Sequence, residues 1–345
     1  MPHDRHVKAA GGSAFVLGVD GGNSKTDVAL VRSDGRLLAA VRGGTISHQQ
    51  VGLDRGADVL VDLVAVARTL AGLGPGDPLP DEAVYCLAGG DSAGDIARLT
   101  AAFAARPLAR SGHVLNDAFA PVRAGTDRTW GVAVICGAGT NAAGIAPDGH
   151  TARFAALGAI SGDWGGGGDV GLAGLGAAVR ARDGRCRRTS LERSVPAHFG
   201  LGRPLDVTDA LECGRIPSER LRELSPVVFE AAAGGDGVAR EIVDRLADEL
   251  AIMANAIIRR LHLIRSDPDV VLAGGVFGAV DEGFEARIAA GIYAFAPRAR
   301  VARLKALPVT GAALLALDRL AMDDPATRAA TVARARAQLG AWRPA

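Results

Sequence analysis

Three glycine-containing turns, each placed directly after an apolar run, are the segments of this chain best suited to chemistry. They are Asp20-Gly21-Gly22-Asn23-Ser24, Gly137-Ala138-Gly139-Thr140 and Gly274-Gly275. Glycine permits a positive φ and lets backbone N–H groups approach a ligand closely, as the oxygens of a phosphate require. The first turn leads from one apolar run straight into another, so no helix follows it. It therefore differs from a Rossmann turn, and it differs from a P-loop because Lys25 follows Ser24 rather than a glycine.

Two carboxylates also stand near the ends of apolar runs: Asp20 directly follows Val19, and Asp117 follows Leu115 and Asn116. A carboxylate within hydrogen-bond reach of a substrate hydroxyl can take its proton, and a carboxylate beside phosphates can hold a hydrated Mg²⁺. Each residue also has a purely structural interpretation, since Asp20 could start its turn and Asp117 could cap a helix that begins at Ala118. The residue types alone leave both interpretations open.

The pattern of apolar residues predicts an α/β layer fold around these turns. The predicted elements of the first part are strands at 15–20, 26–32, 37–42, 83–87 and 113–115, and helices over 54–71, after Asp91 and from about Asp117. The stretch 43–50 is polar and predicts a loop. The order βββαβα with buried parallel strands is typical of sheets covered by helices. We expect the first helix to bury one apolar face, made of Val59, Leu60, Leu63, Val66 and Leu70.

The second part of the chain begins with the same pattern. Residues 129–146 form an apolar run, a glycine turn and a second run, and Pro147-Asp148-Gly149 leads to a third strand near 151–155. The repetition predicts an internal duplication, in which two similar domains face each other. A long helix over 236–264 carries an apolar stripe that we interpret as core. We expect Pro308 to open another helix and the chain to close with an exposed one.

These patterns predict the domain organisation. It comprises a disordered leader at 1–13, domains over 14–127 and 128–307, and C-terminal helices over 308–345, of which 308–325 are expected to pack on the first domain. Lys and Arg number 39 against 38 Asp and Glu, which disfavours nucleic acid or an anionic membrane as a partner. The four cysteines have no CxxC spacing, so neither zinc nor a disulfide framework is expected, and a cytoplasmic location is predicted.

Five segments together resemble the BadF/BadG/BcrA/BcrD ATPase family, and within it the N-acetylglucosamine and glucosamine kinases. They are GVDGGNSKTDVAL, LNDAFAP, ICGAGTNAAGIAPDG, GAISGDWGGG and VVLAGGVF. The three turns are similar to the phosphate 1, phosphate 2 and adenosine motifs shared by sugar kinases, actin and heat-shock chaperones. The resemblance implies two ribonuclease H-like, actin-like ATPase domains with an interdomain cleft for ATP and Mg²⁺, and it makes a homodimer an expectation.

The resemblance also implies roles for individual residues. Asp117 would be the catalytic base, and Asp20 would orient Mg²⁺ through water. The residues expected to bind the nucleotide are Asp20, Gly21, Gly22, Asn23, Ser24, Lys25, Thr26, Gly137, Gly139, Thr140, Gly274, Gly275 and Val276. The residues expected to contact the sugar are Ser47, His48, Asn116, Asp117, Asn141, Gly158 and Asp163.

The acceptor side departs from the family pattern. Leu157 and Trp164 stand where the family has Trp and Glu, and Ser47 replaces an Asn. Asp163 and His48 also have simple interpretations as loop residues. The glycines at 165–168 predict a flexible loop and helix start, which could allow closure over a substrate.

The resemblance implies ATP-dependent phosphorylation of an amino sugar, in the simplest case N-acetylglucosamine at its 6-hydroxyl. Glucosamine is an alternative acceptor. The family also contains ATPase activators that hold a [4Fe–4S] cluster between subunits, but Cys86 and Cys136 lie in strand-like runs rather than at positions typical of bridging ligands. A sugar-sensing regulator without catalysis is a further alternative.

Overall fold

The structure is a computed structural model that describes residues 14–106, 108–278, 282–320 and 324–344. The predicted leader at 1–13 lies outside these residues. Contacts divide the chain into two compact units: unit 1 runs up to Ala120 and resumes at Ala306, and unit 2 comprises Pro121–Lys305. The chain thus passes from unit 1 to unit 2 after Ala120 and back after Lys305, whereas the expected boundaries are at 127 and 307. That each unit is a separate domain stays a prediction.

The strands follow the pattern of apolar runs closely. Within the described residues they are β1 (Phe15–Gly21), β2 (Lys25–Arg32), β3 (Leu37–Gly44), β4 (Glu82–Leu87), β5 (Ser111–Asn116), β6 (Gly131–Cys136), β7 (Thr140–Ile145), β8 (Thr151–Arg153), β9 (Asp269–Ala273) and β10 (Arg300–Arg303).

The helices of the described residues cover the remaining apolar stretches. They are α1 (His48–Val51), α2 (Leu53–Leu70), α3 (Ala93–Ala104), α4 (Phe119–Gly125), α5 (Gly166–Arg182), α6 (Leu191–His198), α7 (Pro204–Glu212), α8 (Leu224–Ala233), α9 (Gly237–Arg260), α10 (Glu282–Phe295), α11 (Pro308–Leu317) and α12 (Pro325–Ala341). Short 3₁₀ helices span Gly158–Ser161, Ser218–Glu223 and Gly275–Gly278. None of the helices in this described part is long and apolar enough to cross a membrane.

The two sheets have the same topology. The strand order is β3-β2-β1-β4-β5 in unit 1 and β10-β9-β6-β7-β8 in unit 2, which is the same order read from the opposite edge. In each sheet the first three strands are antiparallel neighbours and the later two run parallel to the first. The repeated βββ pattern predicted from the sequence is therefore confirmed, and it places both glycine turns at equivalent hairpins.

Helices cover both faces of the unit 1 sheet. On one face α2 and α3 pack over apolar side chains of β1, β2, β4 and β5, and on the other α11 and α12 enclose a second cluster. The α11 backbone comes so close to β1 that a Cβ on Gly18 would lie 2.4 Å from Ala313 N. Helix α12 is not the fully exposed helix expected from its Ala/Arg composition, because it buries Val332, Ala335 and Leu339.

Two further expectations in unit 1 are wrong in detail. The buried face of α2 is made of Gly56, Ala57, Leu60, Val64 and Ala67, whereas Val66 is 50% and Leu70 is 65% exposed. Small residues were missed because an apolar count undervalues Gly and Ala, which allow close packing. The stretch 43–50 is not one loop, since β3 continues to Gly44 and α1 begins at His48.

Unit 2 adds a large helical layer to its sheet. The apolar stripe of α9 lies in the core, as predicted, with Leu246, Leu250 and Ile257 fully buried. The helix ends at Arg260 rather than near Ile264, because His262 has a left-handed φ of 56°. Its N-terminus is capped by Asp236, whose carboxylate accepts hydrogen bonds from Val238 N and Ala239 N.

Candidate active site

The carboxyl ends of the parallel strands β1, β4 and β5 meet at one edge of the unit 1 sheet. The register pairs Asp20 with Cys86 and Leu87 with Asn116. Ala88 N donates to Gly21 O at 2.8 Å, and Asp117 N donates to Leu87 O at 3.1 Å. Strand pairing thus brings Asp20 and Asp117 to the same edge, although a long stretch of sequence separates them.

Negative charge accumulates around Asp20. This side chain is partly buried, and burial together with the charges of Asp117 and Asp27 raises its pKa to about 7. Lys25 and Arg42 act in the opposite direction with smaller effect. A carboxylate held in this way favours a proton or a cation beside it, which suits a role in holding a metal ion.

Sequence reasoning missed the ion pair that supports this edge from within β2 and β3. Asp27 lies opposite Asp20 in the β1–β2 register and is only 1% exposed. Arg42 donates from Nε to Asp27 Oδ1 at 2.6 Å and from Nη2 to Oδ2 at 2.7 Å. The Arg42 guanidinium also lies 5.9 Å from the Trp342 ring centroid. An aspartate inside the otherwise apolar run of β2 was the available signal.

The β1–β2 turn presents backbone N–H groups. Gly22 N donates to Lys25 O at 2.9 Å, and the Thr45 hydroxyl donates to Gly22 O at 2.8 Å. The Gly22 C=O and the Asn23 N–H belong to one trans peptide and therefore point in opposite directions. Because the Gly22 carbonyl accepts from Thr45, the Asn23 N–H points away from Thr45. The residues of the turn from Asn23 to Lys25 are exposed, whereas Thr26 is buried. The role of Thr45 in holding the turn was not predicted.

Three residues predicted to contact the sugar lie near this edge or in the segment that follows β3. Asn116 is buried and donates to Asp91 Oδ1 at 2.9 Å, while its own Oδ1 accepts from Ala118 N at 3.1 Å. The helix expected to begin at Ala118 begins at Phe119, and the Ala118 N–H is bonded to the Asn116 side chain. Ser47 Oγ and His48 Nδ1 are buried polar atoms without a hydrogen-bond partner among the described residues. Such atoms are available to a ligand.

The β6–β7 turn of unit 2 is held by the first turn of α5. Gly167 N donates to Gly137 O at 2.8 Å, and Gly168 N donates to Ala138 O at 2.9 Å. The carbonyls of Gly137 and Ala138 face α5. The N–H groups of Ala138 and Gly139 belong to the same two trans peptides, so they point away from α5. Two adjacent N–H groups on exposed residues form a small cradle for an anion.

The glycines at 165–168 serve close packing rather than the flexibility expected from the sequence. The predicted helix start is confirmed, but Gly166–Gly168 belong to the helix rather than to a loop. A Cβ on Gly166, where φ is 77°, would lie 2.4 Å from Gly139 Cα, and one on Gly165 would lie 2.8 Å from Thr140 Cγ2. Glycine is required here because helix and turn backbones touch. Gly165 N donates to Asp169 Oδ2 at 2.8 Å, which fixes the entry to the helix.

The third glycine turn approaches the same strand end. Gly274 has a φ of 111°, and a Cβ there would lie 2.2 Å from Cys136 O. Burial raises the pKa of the Cys136 thiol to about 12, and the nearby Gly166 N–H acts on that pKa in the opposite direction with smaller effect. Cys136 is thus core, as predicted, with glycine segments packed around it. Gly275 and Val276 begin the short 3₁₀ helix that follows.

The remaining sugar-contact candidates belong to unit 2. The Ser161 hydroxyl bonds to the Asp163 carboxylate, and Asp163 N donates to Gly158 O at 3.1 Å. Asn141 is partly buried in β7, where the register pairs it with Ile135. Trp164 packs against the core of unit 2 under Arg245, whose guanidinium lies 3.8 Å from the ring centroid. The sugar-binding role of these residues stays a prediction.

Comparison with known proteins identifies related chains. The model of the BadF/BadG/BcrA/BcrD ATPase family matches residues 17–316. The N-acetylmuramic acid/N-acetylglucosamine kinase of Clostridium acetobutylicum is 28% identical over 77% of this chain and 87% of its own length. The N-acetyl-D-glucosamine kinase of Dictyostelium discoideum is 27% identical over 88% of this chain and 97% of its own. A candidate N-acetylglucosamine kinase from Chromobacterium violaceum shares the fold with a TM-score of 0.65, at 23% identity over 88% of this chain and 99% of that one.

Proposed function

The chain belongs to the BadF/BadG/BcrA/BcrD ATPase family, and on that premise we propose that it is an ATP-dependent kinase of amino sugars. The simplest substrate is N-acetylglucosamine, phosphorylated at its 6-hydroxyl, since both curated relatives described above are named for this sugar. The observation that carries the proposal is the meeting of Asp20 and Asp117 at the strand edge that also presents a glycine turn. Glucosamine remains the alternative acceptor.

Backbone groups would bind the nucleotide. In this proposal the β1–β2 turn, with Lys25 at its end, and the N–H groups of Ala138 and Gly139 contact phosphate oxygens. Gly274, Gly275 and Val276 would adjoin the adenosine. Phosphoryl transfer depends on positioning and on neutralising charge, and fixed N–H donors supply both without reorganisation.

The charges around Asp20 fit Mg²⁺. Its raised pKa reports unfavourable negative charge from burial and from Asp117 and Asp27, which a divalent cation would offset. Mg²⁺ retains much of its hydration shell, so Asp20 would hold it through water. When bound with ATP, the ion neutralises phosphate charge.

Asp117 would act as the base. Its carboxylate takes the proton of the sugar hydroxyl as that oxygen forms a bond to the γ-phosphorus of ATP, and the bond to the β–γ bridging oxygen breaks to leave ADP. The backbone bond from Asp117 N to Leu87 O anchors the residue to β4. The sugar would be held by Ser47, His48, Asn116, Asn141, Gly158 and Asp163 as well as by Asp117, and the buried Ser47 Oγ and His48 Nδ1 support this assignment.

Two other functions are less well supported. A cluster-bearing activator needs thiolate ligands, and burial raises the pKa of the Cys86 and Cys136 thiols, which speaks against these two as such ligands. A sugar sensor without catalysis would have no need of the carboxylate pair. A cytoplasmic location, where ATP is present, and a homodimer belong to the same proposal.

The test is ADP release with Mg·ATP across a panel of acceptors. The panel comprises N-acetylglucosamine, glucosamine, N-acetylmannosamine, N-acetylmuramic acid and glucose. Turnover that is strongest with N-acetylglucosamine supports the proposal, and turnover with N-acetylmuramic acid as well would follow the relative from Clostridium acetobutylicum. Silence with every sugar, while ATP still binds, would overturn it in favour of a sensor or another acceptor.

A further inference from the structure

An arginine-lined cavity lies within unit 2, in a part of the fold that the proposed kinase mechanism does not use. Its volume is about 640 Å³, and its walls come from the end of α5, the segment before α6, and the N-termini of α6, α7 and α9. The arginines that line it are Arg182, Arg188, Arg193 and Arg203. Cavities of this size accommodate metabolites rather than single ions.

Three of these guanidinium groups have no partner among the residues that the structure describes. The side chains of Arg182, Arg188 and Arg193 form no hydrogen bond or ion pair there, whereas the neighbouring Arg185 and Arg187 are paired with carboxylates. Arg203, in contrast, donates to Asp206 Oδ1 at 2.9 Å. Three guanidinium groups without an ion-pair partner around one space create a positive potential that favours an anion.

The two carboxylates in the lining offset only part of this charge. Asp236 is engaged elsewhere, because its oxygens accept from Val238 N, Ala239 N, the Thr189 and Ser190 hydroxyls and Ser190 N. These bonds hold the pKa of Asp236 well below its usual range and tie α6 to α9. Glu192 is the other lining carboxylate, so four arginines stand against two carboxylates and the lining keeps a positive balance.

We propose that this cavity is a second binding site, which takes a small organic phosphate carrying at least two negative charges. Guanidinium groups match phosphate oxygens through paired N–H donors, and three of them suit a phosphomonoester or diphosphate better than a carboxylate. The space around them leaves room for the organic part of the ligand. A sugar phosphate and a nucleotide share this chemistry. The proposal does not rest on the kinase assignment.

The experiment is a calorimetric titration of the full chain with two probes, N-acetylglucosamine 6-phosphate and ADP, at low ionic strength. A non-hydrolysable ATP analogue together with N-acetylglucosamine occupies any catalytic site beforehand. We expect one of the probes to bind to a site whose affinity falls about tenfold or more in Arg182→Gln, Arg188→Gln or Arg193→Gln. The probe that binds identifies the source of the phosphate. Arg188→Lys should lose affinity to a smaller extent, because it keeps the charge but not the paired donors.

Arg187→Gln is the matched control. It removes the same charge one position away, but Arg187 does not line the cavity and bonds to Glu241 on the surface. Wild-type affinity in Arg187→Gln supports the proposal. An equal loss of affinity in Arg187→Gln and Arg188→Gln would show that net charge alone causes the effect, and it would overturn the proposal. The proposal would also fail if neither probe bound in a way that depends on the three lining arginines. Kinase turnover, measured separately, tests the other proposal alone.

Discussion

The β1–β2 and β6–β7 turns occupy equivalent places in two sheets of the same topology, yet their surroundings differ. The first lies among carboxylates, with Asp20 before it, Asp27 across the hairpin and Asp117 on the neighbouring strand end. The second is held by the N-terminal glycines of α5, where the Asp169 carboxylate accepts the Gly165 N–H. Each is followed by a buried threonine, Thr26 or Thr140, whose hydroxyl lacks a hydrogen-bond partner among the described residues.

In the proposed function, this difference divides the labour within a repeated framework. Both repeats have a hairpin turn with exposed N–H groups for phosphates. Proton transfer and cation binding need carboxylates, and in the described residues Asp20 and Asp117 meet beside the first turn. The second repeat gains rigidity instead, through backbone contacts between helix and turn. Four changes would break or sharpen this comparison.

The largest effect is expected from Asp117→Asn. Removal of the base should lower kcat by a factor of about 10² to 10⁴, with ATP affinity retained, because the amide keeps the shape but cannot take a proton. ADP release and nucleotide titration measure the two quantities. Asp62→Asn, on the exposed side of α2, is the control and should leave both unchanged. Turnover at the wild-type rate in Asp117→Asn would remove Asp117 from the mechanism.

Gly166→Ala tests the rigid support of the second turn. The new Cβ would lie 2.4 Å from Gly139 Cα at a φ of 77°, so we expect a loss of about 2 to 4 kcal/mol in the free energy of unfolding and weaker ATP binding. Denaturant unfolding and nucleotide titration provide the measurements. Gly176→Ala in the same helix has nothing within 4 Å of its Cβ and should be neutral or stabilise by up to about 1 kcal/mol. Equal behaviour of the two variants would refute the packing argument.

Asp20→Asn tests the charge at the first turn. Because the pKa of Asp20 is raised to about 7 in the folded state, its ionisation lowers the stability as pH rises from about 4 through 7. Without Mg²⁺, Asp20→Asn should therefore be more stable than wild type at pH 8, by about 1 to 3 kcal/mol, with the difference shrinking towards pH 4. Thermal unfolding across this range checks the sign. A variant less stable than wild type at pH 8 would contradict the charge argument.

The smallest effect is expected from Thr45→Val. The Thr45 hydroxyl donates to Gly22 O and accepts from Ser47 N, so its loss should cost about 1 to 2 kcal/mol and raise the KM for ATP a few-fold. Thr69→Val removes a hydroxyl bonded to Ala65 O on exposed α2 and should change stability by less than about 0.5 kcal/mol. If both variants bind ATP equally well, Thr45 does not hold the turn.

Much of the fold and part of the site were determined by the sequence alone. Alternation of apolar runs with glycine turns predicted the strands, the repeated hairpins and the long core helix, because these features depend on local spacing. The first turn and the two aspartates that the sequence singled out, Asp20 and Asp117, lie at one edge of the unit 1 sheet. A local sequence pattern is sufficient to predict these residues because each glycine turn directly follows the strand that positions it.

Only the tertiary structure decided what surrounds those residues. The Asp27–Arg42 pair depends on β2–β3 register, and the first glycines of α5 serve contact with the β6–β7 turn. Helix α2 buries small residues beside Leu60 and Val64, while Val66 and Leu70 stay exposed. The raised pKa of Asp20 depends on burial and on carboxylates that strand pairing brings near. The burial of a side chain and the charges around it depend on residues that are distant in the chain. A short stretch of sequence therefore cannot predict them.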